Sequence, residues 1–223
     1  MDPSFWHDAW AEGRTGFHRD EVNETLKRHA SWLLSGGPRR VLVPFCGKTH
    51  DLAWIAAQGH RVLGIEVSPI AVEALFKREG WAAKPVEEDG ALVWTAGPVT
   101  VVCGDLFELP SGLFERCDRL WDRAALVALP ASMRGTYVRC VRARLAADAL
   151  GLVCTLESVP EDRGGPPFTV REPELVQHYA GARVSSEVTE QPDPETYVSR
   201  GYEALRTFTY RIERCGQAAQ FSS

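Results

Sequence analysis

The turn Val43-Pro44-Phe45-Cys46-Gly47-Lys48-Thr49 joins a short apolar run to a helix-like stretch, and Glu66 closes the next apolar run. A glycine at such a turn lets backbone approach a ligand, and a carboxylate at the end of the neighbouring strand accepts both hydroxyls of a ribose. A dinucleotide site needs the fuller G-x-G-x-x-G pattern to seat a pyrophosphate on the helix N-terminus. This turn has one of those glycines, and Lys48 lacks the rest of a P-loop. The implied ligand is a nucleoside without a diphosphate, which points to S-adenosylmethionine. A solvent-exposed strand end is the plainer reading of the same spacing.

Gly104-Asp105-Leu106-Phe107 follows the next β-branched run. In an open α/β sheet a residue there can hydrogen-bond the exocyclic amine of adenine while apolar neighbours sandwich the ring. Asp105 as a simple turn or helix cap is the competing reading. The six cysteines form no C-x-x-C pair, and the six histidines form no H-x-x-x-H or His/Cys cluster. Inert thiols and no metal are therefore expected.

The elements that must position these residues alternate short β-branched runs with helical stretches, which predicts a parallel sheet flanked by helices. Strands are expected at 40–43, 61–66, 99–103, 119–121, 150–156, 183–188 and 205–212, with a short one at 92–94 paired to the third. Helices are expected at 21–34, 49–58, 69–79, 131–146 and 173–179. Ser68-Pro69 supplies a cap followed by proline in the first turn. On the helix over 21–34, Val22, Leu26, His29 and Leu33 share one face. The last two strands lack a clear helix between them and are expected to pair antiparallel at the sheet edge. The fold class so read is α/β: a seven-stranded, mostly parallel, Rossmann-like sheet with helices on both faces. Residues 1–38 form an N-terminal helical and aromatic lid segment within a single domain spanning 1–223. Phe5, Trp6, Trp10 and Phe17 crowd around Gly13 and Gly16 in that lid, and Gly164-Gly165-Pro166-Pro167 reads as a loop.

Length and charge bound the rest. A chain of 223 residues, 44% hydrophobic, suffices for one sizeable core. Its 25 basic against 30 acidic residues give a net charge of −5, which disfavours a nucleic-acid or anionic-membrane partner. The start Met1-Asp2-Pro3-Ser4-Phe5 has no basic head or apolar run of a signal peptide. A cytoplasmic location and a monomer are expected.

Five segments in order resemble the thiopurine S-methyltransferase family over nearly the whole chain. They are Phe5-Trp6-x-x-x-Trp10-x-x-Gly13-x-x-x-Phe17-His18, Val43-Pro44-Phe45-Cys46-Gly47-Lys48, Gly59-His60-x-Val62-x-Gly64-x-Glu66-x-Ser68, Trp121-Asp122-Arg123-x-Ala125-Leu126, and Gly165-Pro166-Pro167-Phe168. The resemblance implies that Trp10, Phe45, Glu66 and Arg123 bind the donor S-adenosylmethionine, released as S-adenosylhomocysteine. It also implies that Asp105 and Leu106 hold the adenine, and that Phe17 and Phe168 line the acceptor side. Phe45 stands where the family commonly has leucine, and Ala124 where it frequently has glycine.

What the resemblance implies chemically is methyl transfer to a small aromatic or heterocyclic thiol by in-line displacement with a thiolate nucleophile. A thiolate needs alignment more than a general base. Arg123 is the electrostatic candidate, either favouring the anionic acceptor or gripping the donor carboxylate, unless it simply pairs with Asp122 or another carboxylate. Asp122 orients neighbours, and His18 beside the lid is not assigned a catalytic part. Selenium or tellurium species, or a thiol in a natural product, are alternative acceptors. A non-catalytic donor-binding protein is the reading outside this class, and the missing glycines count against a nicotinamide dehydrogenase.

Overall fold

A computed structural model of the chain describes residues 2–161, 165–190, 198 and 201–216; Gly164 of the expected loop lies outside them. Helix α1 (Pro3–Ala11) starts where Asp2 accepts the Ser4 N–H and Pro3 takes the first turn. Helix α2 (Glu24–Leu33) starts later than the hydrophobic periodicity predicts. The Asn23 side chain caps it, accepting from the N–H groups of Thr25 at 2.9 Å and Leu26 at 3.4 Å. It buries Leu26, His29 and Leu33, while Val22 lies ahead of it. Then follow β1 (Arg40–Pro44), α3 (Asp51–Ala57), β2 (Arg61–Glu66) and α4 (Pro69–Arg78), the last capped by Ser68. The chain continues through β3 (Val86–Glu88), β4 (Ala91–Ala96), β5 (Val99–Cys103) and β6 (Cys117–Arg123). It closes with α5 (Ala131–Ala143), β7 (Leu145–Val159), α6 (Glu172–His178), β8 (Arg183–Glu190) and β9 (Ala204–Glu213).

All nine strands among the described residues join one sheet in the order β3-β4-β5-β2-β1-β6-β7-β9-β8. The five central strands, β5-β2-β1-β6-β7, run parallel, with Val43 opposite Gly64 and Leu42 opposite Leu120. The expected antiparallel edge is present as β7-β9-β8. At the other edge β4 pairs antiparallel with β5, and β3 pairs with β4. The sheet is therefore mixed and nine-stranded, against the seven mostly parallel strands expected. The unforeseen strand, β3, is three exposed residues, Val86, Glu87 and Glu88, with no apolar alternation to announce it.

Period-two alternation sends the strand side chains into two cores. Val41, Val43 and Trp121 pack with Leu26, Leu33, Leu52, Ile55, Val72 and Leu75 under α2, α3 and α4. Leu42, Leu120 and Val153 pack with Tyr137, Val138, Val141, Leu175 and Tyr179 under α5 and α6. The chain leaves β1 towards β2 and β5 on one side, and reaches β6 and β7 on the other. The gap between the carboxyl ends of β1 and β6 is thus the switch point where ligands bind in such sheets.

Candidate functional site

At that switch point a cleft of about 540 Å³, including its open mouth, is walled by the β1 turn, the β6 end and the N-terminal segment. Phe45 (φ 48°) and Gly47 (φ 53°) both take the left-handed conformation, which folds the turn back tightly. At Gly47 a Cβ would come within 3.1 Å of the Trp10 ring, so this glycine serves both the turn and the close approach of the indole.

Glu66, 5% exposed at the end of β2, braces the turn from behind. One carboxylate oxygen accepts the Gly47 N–H at 2.8 Å and the other accepts the Ser68 N–H at 2.9 Å. Burial raises its pKa, opposed by these backbone donors. Two N–H bonds leave further acceptor positions on a carboxylate.

The N-terminal segment forms the outer wall. Trp10 is buried, and Phe17 meets it edge-on at 5.5 Å between ring centres and meets Trp6 at 5.6 Å. Lys48 places its ammonium 5.9 Å from the centre of the Trp10 ring. Arg123, half-buried at the end of β6, donates from Nη1 to the Phe17 carbonyl oxygen at 3.0 Å. Burial lowers its pKa, but a guanidinium keeps its charge in proteins. The alternative of an Arg123 ion pair with Asp122 is not realised: the Asp122 carboxylate turns to the opposite core, where it accepts the Tyr137 hydroxyl at 2.7 Å.

Asp51 was not marked by sequence reasoning, yet it is a hub of the site. Its oxygens accept the Asn23 N–H and the Trp121 indole N–H, each at 2.8 Å. It thereby ties the end of the lid, α3 and β6 together while lining the cleft. An acid in the first turn of a helix looks like an ordinary dipole partner; nothing in the sequence shows that it reaches 28 positions back and 70 forward. Lys48 and Asn23 line the cleft as well.

Trp10, Phe17, Phe45 and Arg123 therefore share one cleft. Asp105 lies farther along the same sheet edge, since the Gly104 N–H donates to the Glu66 carbonyl at 2.9 Å. Its side chain accepts the Phe107 N–H at 2.9 Å, the turn-capping role weighed above. Leu106 is 1% exposed with its side chain in the core, so a ligand there would meet its backbone. Phe168 stands apart from the cleft lining and is fixed by its N–H to the Val127 carbonyl at 2.7 Å. His18 stacks on His50 at 6.4 Å and lies 3.1 Å from an Asp20 oxygen. Burial and the Lys48 charge lower its pKa. All six cysteines are free, and burial pushes Cys154 up to about 12 and Cys103 to about 11. No group of three or more His, Cys, Asp or Glu among the described residues is arranged for a metal. No described helix is long and apolar enough to cross a membrane.

The architecture matches solved structures throughout its length. A 1,6-didemethyltoxoflavin-N1-methyltransferase from Burkholderia thailandensis, with S-adenosylhomocysteine bound, superposes at TM-score 0.62 and 21% identity, covering 95% of this chain and 86% of the other. Magnesium protoporphyrin IX methyltransferase from Synechocystis superposes at TM-score 0.64 and 12% identity, covering 96% of this chain and all of the other. The fold is that of the S-adenosylmethionine-dependent methyltransferases.

Within that class, the thiopurine S-methyltransferase family model matches residues 1–215. Relatives named thiopurine S-methyltransferase, from Xanthomonas campestris pv. campestris and Pseudomonas putida, are 42% and 41% identical. Each alignment covers 96% of this chain and the whole relative. The chain belongs to the thiopurine S-methyltransferase family and is an S-adenosylmethionine-dependent S-methyltransferase.

Proposed function

We propose that the acceptor is a small aromatic or heterocyclic thiol of the thiopurine type, methylated as its thiolate in the cleft between β1 and β6. The observation that carries this reading is the cleft's make-up: aromatic walls from Trp10, Phe17 and Phe45 beside a guanidinium, Arg123, that hydrogen-bonds the Phe17 carbonyl and feels the Asp51 charge without a salt bridge among the described residues. Planar rings fit such walls, and a guanidinium not held in a salt bridge favours a bound anion.

The residues present also fit the donor. Gly47 exposes backbone where a side chain could not be placed, and Glu66 is held by two backbone N–H groups with acceptor capacity to spare for a ribose. Asp105 and the Leu106 backbone follow along the edge for the adenine. When bound, S-adenosylmethionine supplies an electrophilic methyl group on a sulfonium. Trp10, Phe17 and Phe45 exclude water around the reacting sulfur. Arg123 holds the acceptor as the anion, so no side chain has to remove a proton during transfer. The new carbon–sulfur bond to the acceptor forms as the donor's own carbon–sulfur bond breaks, releasing S-adenosylhomocysteine. Phe168 contributes to the acceptor side from beyond the cleft lining.

The test is calorimetric titration with S-adenosylmethionine and S-adenosylhomocysteine, followed by a panel of 6-mercaptopurine, thiophenol, a dithiol and selenite read by mass. Donor binding with methylation of the aromatic thiols is expected. Donor binding with turnover of selenite alone would overturn the acceptor assignment, and no donor binding would overturn the site.

A further inference from the structure

Asp122 is an expensive residue to keep where it lies. It is fully buried, and desolvation lifts its carboxyl to about 6. One oxygen accepts the Tyr137 hydroxyl, while Oδ1 lacks a completed hydrogen bond. The backbone N–H groups of Ala125 and Leu126 also favour the carboxylate, against the larger opposing effect of burial. A buried carboxylate carries a desolvation cost that one hydroxyl hydrogen bond only partly offsets, so stability alone does not account for the pair.

Its position does. Successive residues of β6 point to opposite faces of the sheet. Trp121 is tied to Asp51 on the α3 side and Asp122 to Tyr137 on the α5 side. Arg123 is the next residue, and Ala124 then turns the chain at φ 66°. The last rungs before Arg123 are thus held from both faces by buried side-chain hydrogen bonds. The Tyr137 ring also packs on Phe45 at 5.3 Å between centres, and Phe45 meets Phe107 at 6.5 Å. One hydroxyl–carboxylate bond therefore links the β6 end, the β1 turn and the turn that carries Asp105.

We propose that Asp122 and Tyr137 are a positioning couple for methyl transfer, setting Arg123 and Phe45 in register with each other across the cleft. The proposal rests on the functional reading above. It predicts a loss of alignment, and hence of kcat, larger than any loss of donor affinity or fold.

The experiment compares the wild-type chain with Y137F, D122N and the apolar pair D122L/Y137F. Each is assayed for methyl transfer to thiophenol, for affinity towards S-adenosylhomocysteine, and for thermal unfolding. In the apolar pair kcat should fall by about 10- to 100-fold, the scale of a small misplacement of reacting groups. Its affinity for S-adenosylhomocysteine should stay within about threefold and its melting temperature at or above wild type, as expected when a buried charge is removed. A folded pair with kcat within twofold of wild type overturns the proposal. If the pair does not fold, the single variants decide. Asn at 122 still accepts the Tyr137 hydroxyl and should lose less kcat than Y137F, and equal rates overturn the proposal. Independently of turnover, the Arg123 Nε–H resonance, assigned with R123K, should shift or broaden in Y137F. An unchanged resonance overturns the couple even where the wild-type chain methylates none of the thiols, an outcome that would separately overturn the thiol reading.

Discussion

Glu66 concentrates the donor-side hypothesis in one carboxylate. Its oxygens are already oriented by Gly47 and Ser68, so ribose hydroxyls would meet a group that needs no further ordering. Glu66→Ala should weaken donor binding by roughly 1–3 kcal/mol, measured calorimetrically with S-adenosylhomocysteine. The backbone N–H groups it leaves behind also predict some loss of stability. Asp122 gives a different signature. Raising a buried carboxyl from 3.8 to about 6 favours folding at low pH, and that contribution disappears as pH rises through about 6. Relative to wild type, Asp122→Asn should therefore gain stability between pH 4 and pH 7.5, by on the order of 3 kcal/mol at most. Urea titrations of both proteins at the two pH values check this, and a difference that does not change with pH would contradict it. Ala124, where the family frequently has glycine, sits at φ 66°, a region in which glycine is free and alanine is not. The departure is a backbone matter before it is a matter of acceptor shape.

At the scale of elements, the lid is fastened to the sheet by a few identifiable contacts. Asp51 holds the Asn23 N–H, Arg123 holds the Phe17 carbonyl, and the Trp6, Trp10 and Phe17 rings interlock. Asp51→Ala leaves two donors without an acceptor, one of them on the fully buried Trp121, and should cost roughly 2–4 kcal/mol by denaturant unfolding. It should also raise proteolysis at Arg14 and Arg19, both exposed in the lid. Much of this level was legible in the residues. Ser68-Pro69 marks the start of α4, and the Leu26/His29/Leu33 face of α2 is the buried one. The true start of α2 was legible too, since asparagine is a preferred N-cap and glutamate is not; counting Val22 into the apolar face placed the start too early. The reach of Asp51 was not legible, since its partners are distant in sequence. The side chain of Leu106 packs into the core rather than towards the sheet edge, something a motif alone does not reveal.

For the whole molecule, β-branched runs separated by helices were enough to place the five parallel strands and the β8–β9 edge. The short β4 was expected from its alternation, with Ala91 and Val93 buried on either side of the exposed Leu92, whereas β3, exposed at all three residues, carries no period-two signal. The same layout predicts how stability is distributed. Amides of β1, β2 and β6, flanked by strands on both sides and helices on both faces, should exchange with deuterium only through global unfolding. Those of β3 and of residues 13–20 should exchange far faster. Slow exchange in β3 would contradict the placement of that strand at the rim.

A sheet that stays open at both rims has to be protected against pairing with another copy of itself. At one rim the outermost rung is only three residues long, and two of them are Glu87 and Glu88, both exposed. A second molecule approaching that rim would bring its own carboxylates against these, with too few backbone groups on offer to repay the repulsion. The strand that the sequence signals least thus also guards the rim against pairing, whatever happens in the cleft on the far side of β2.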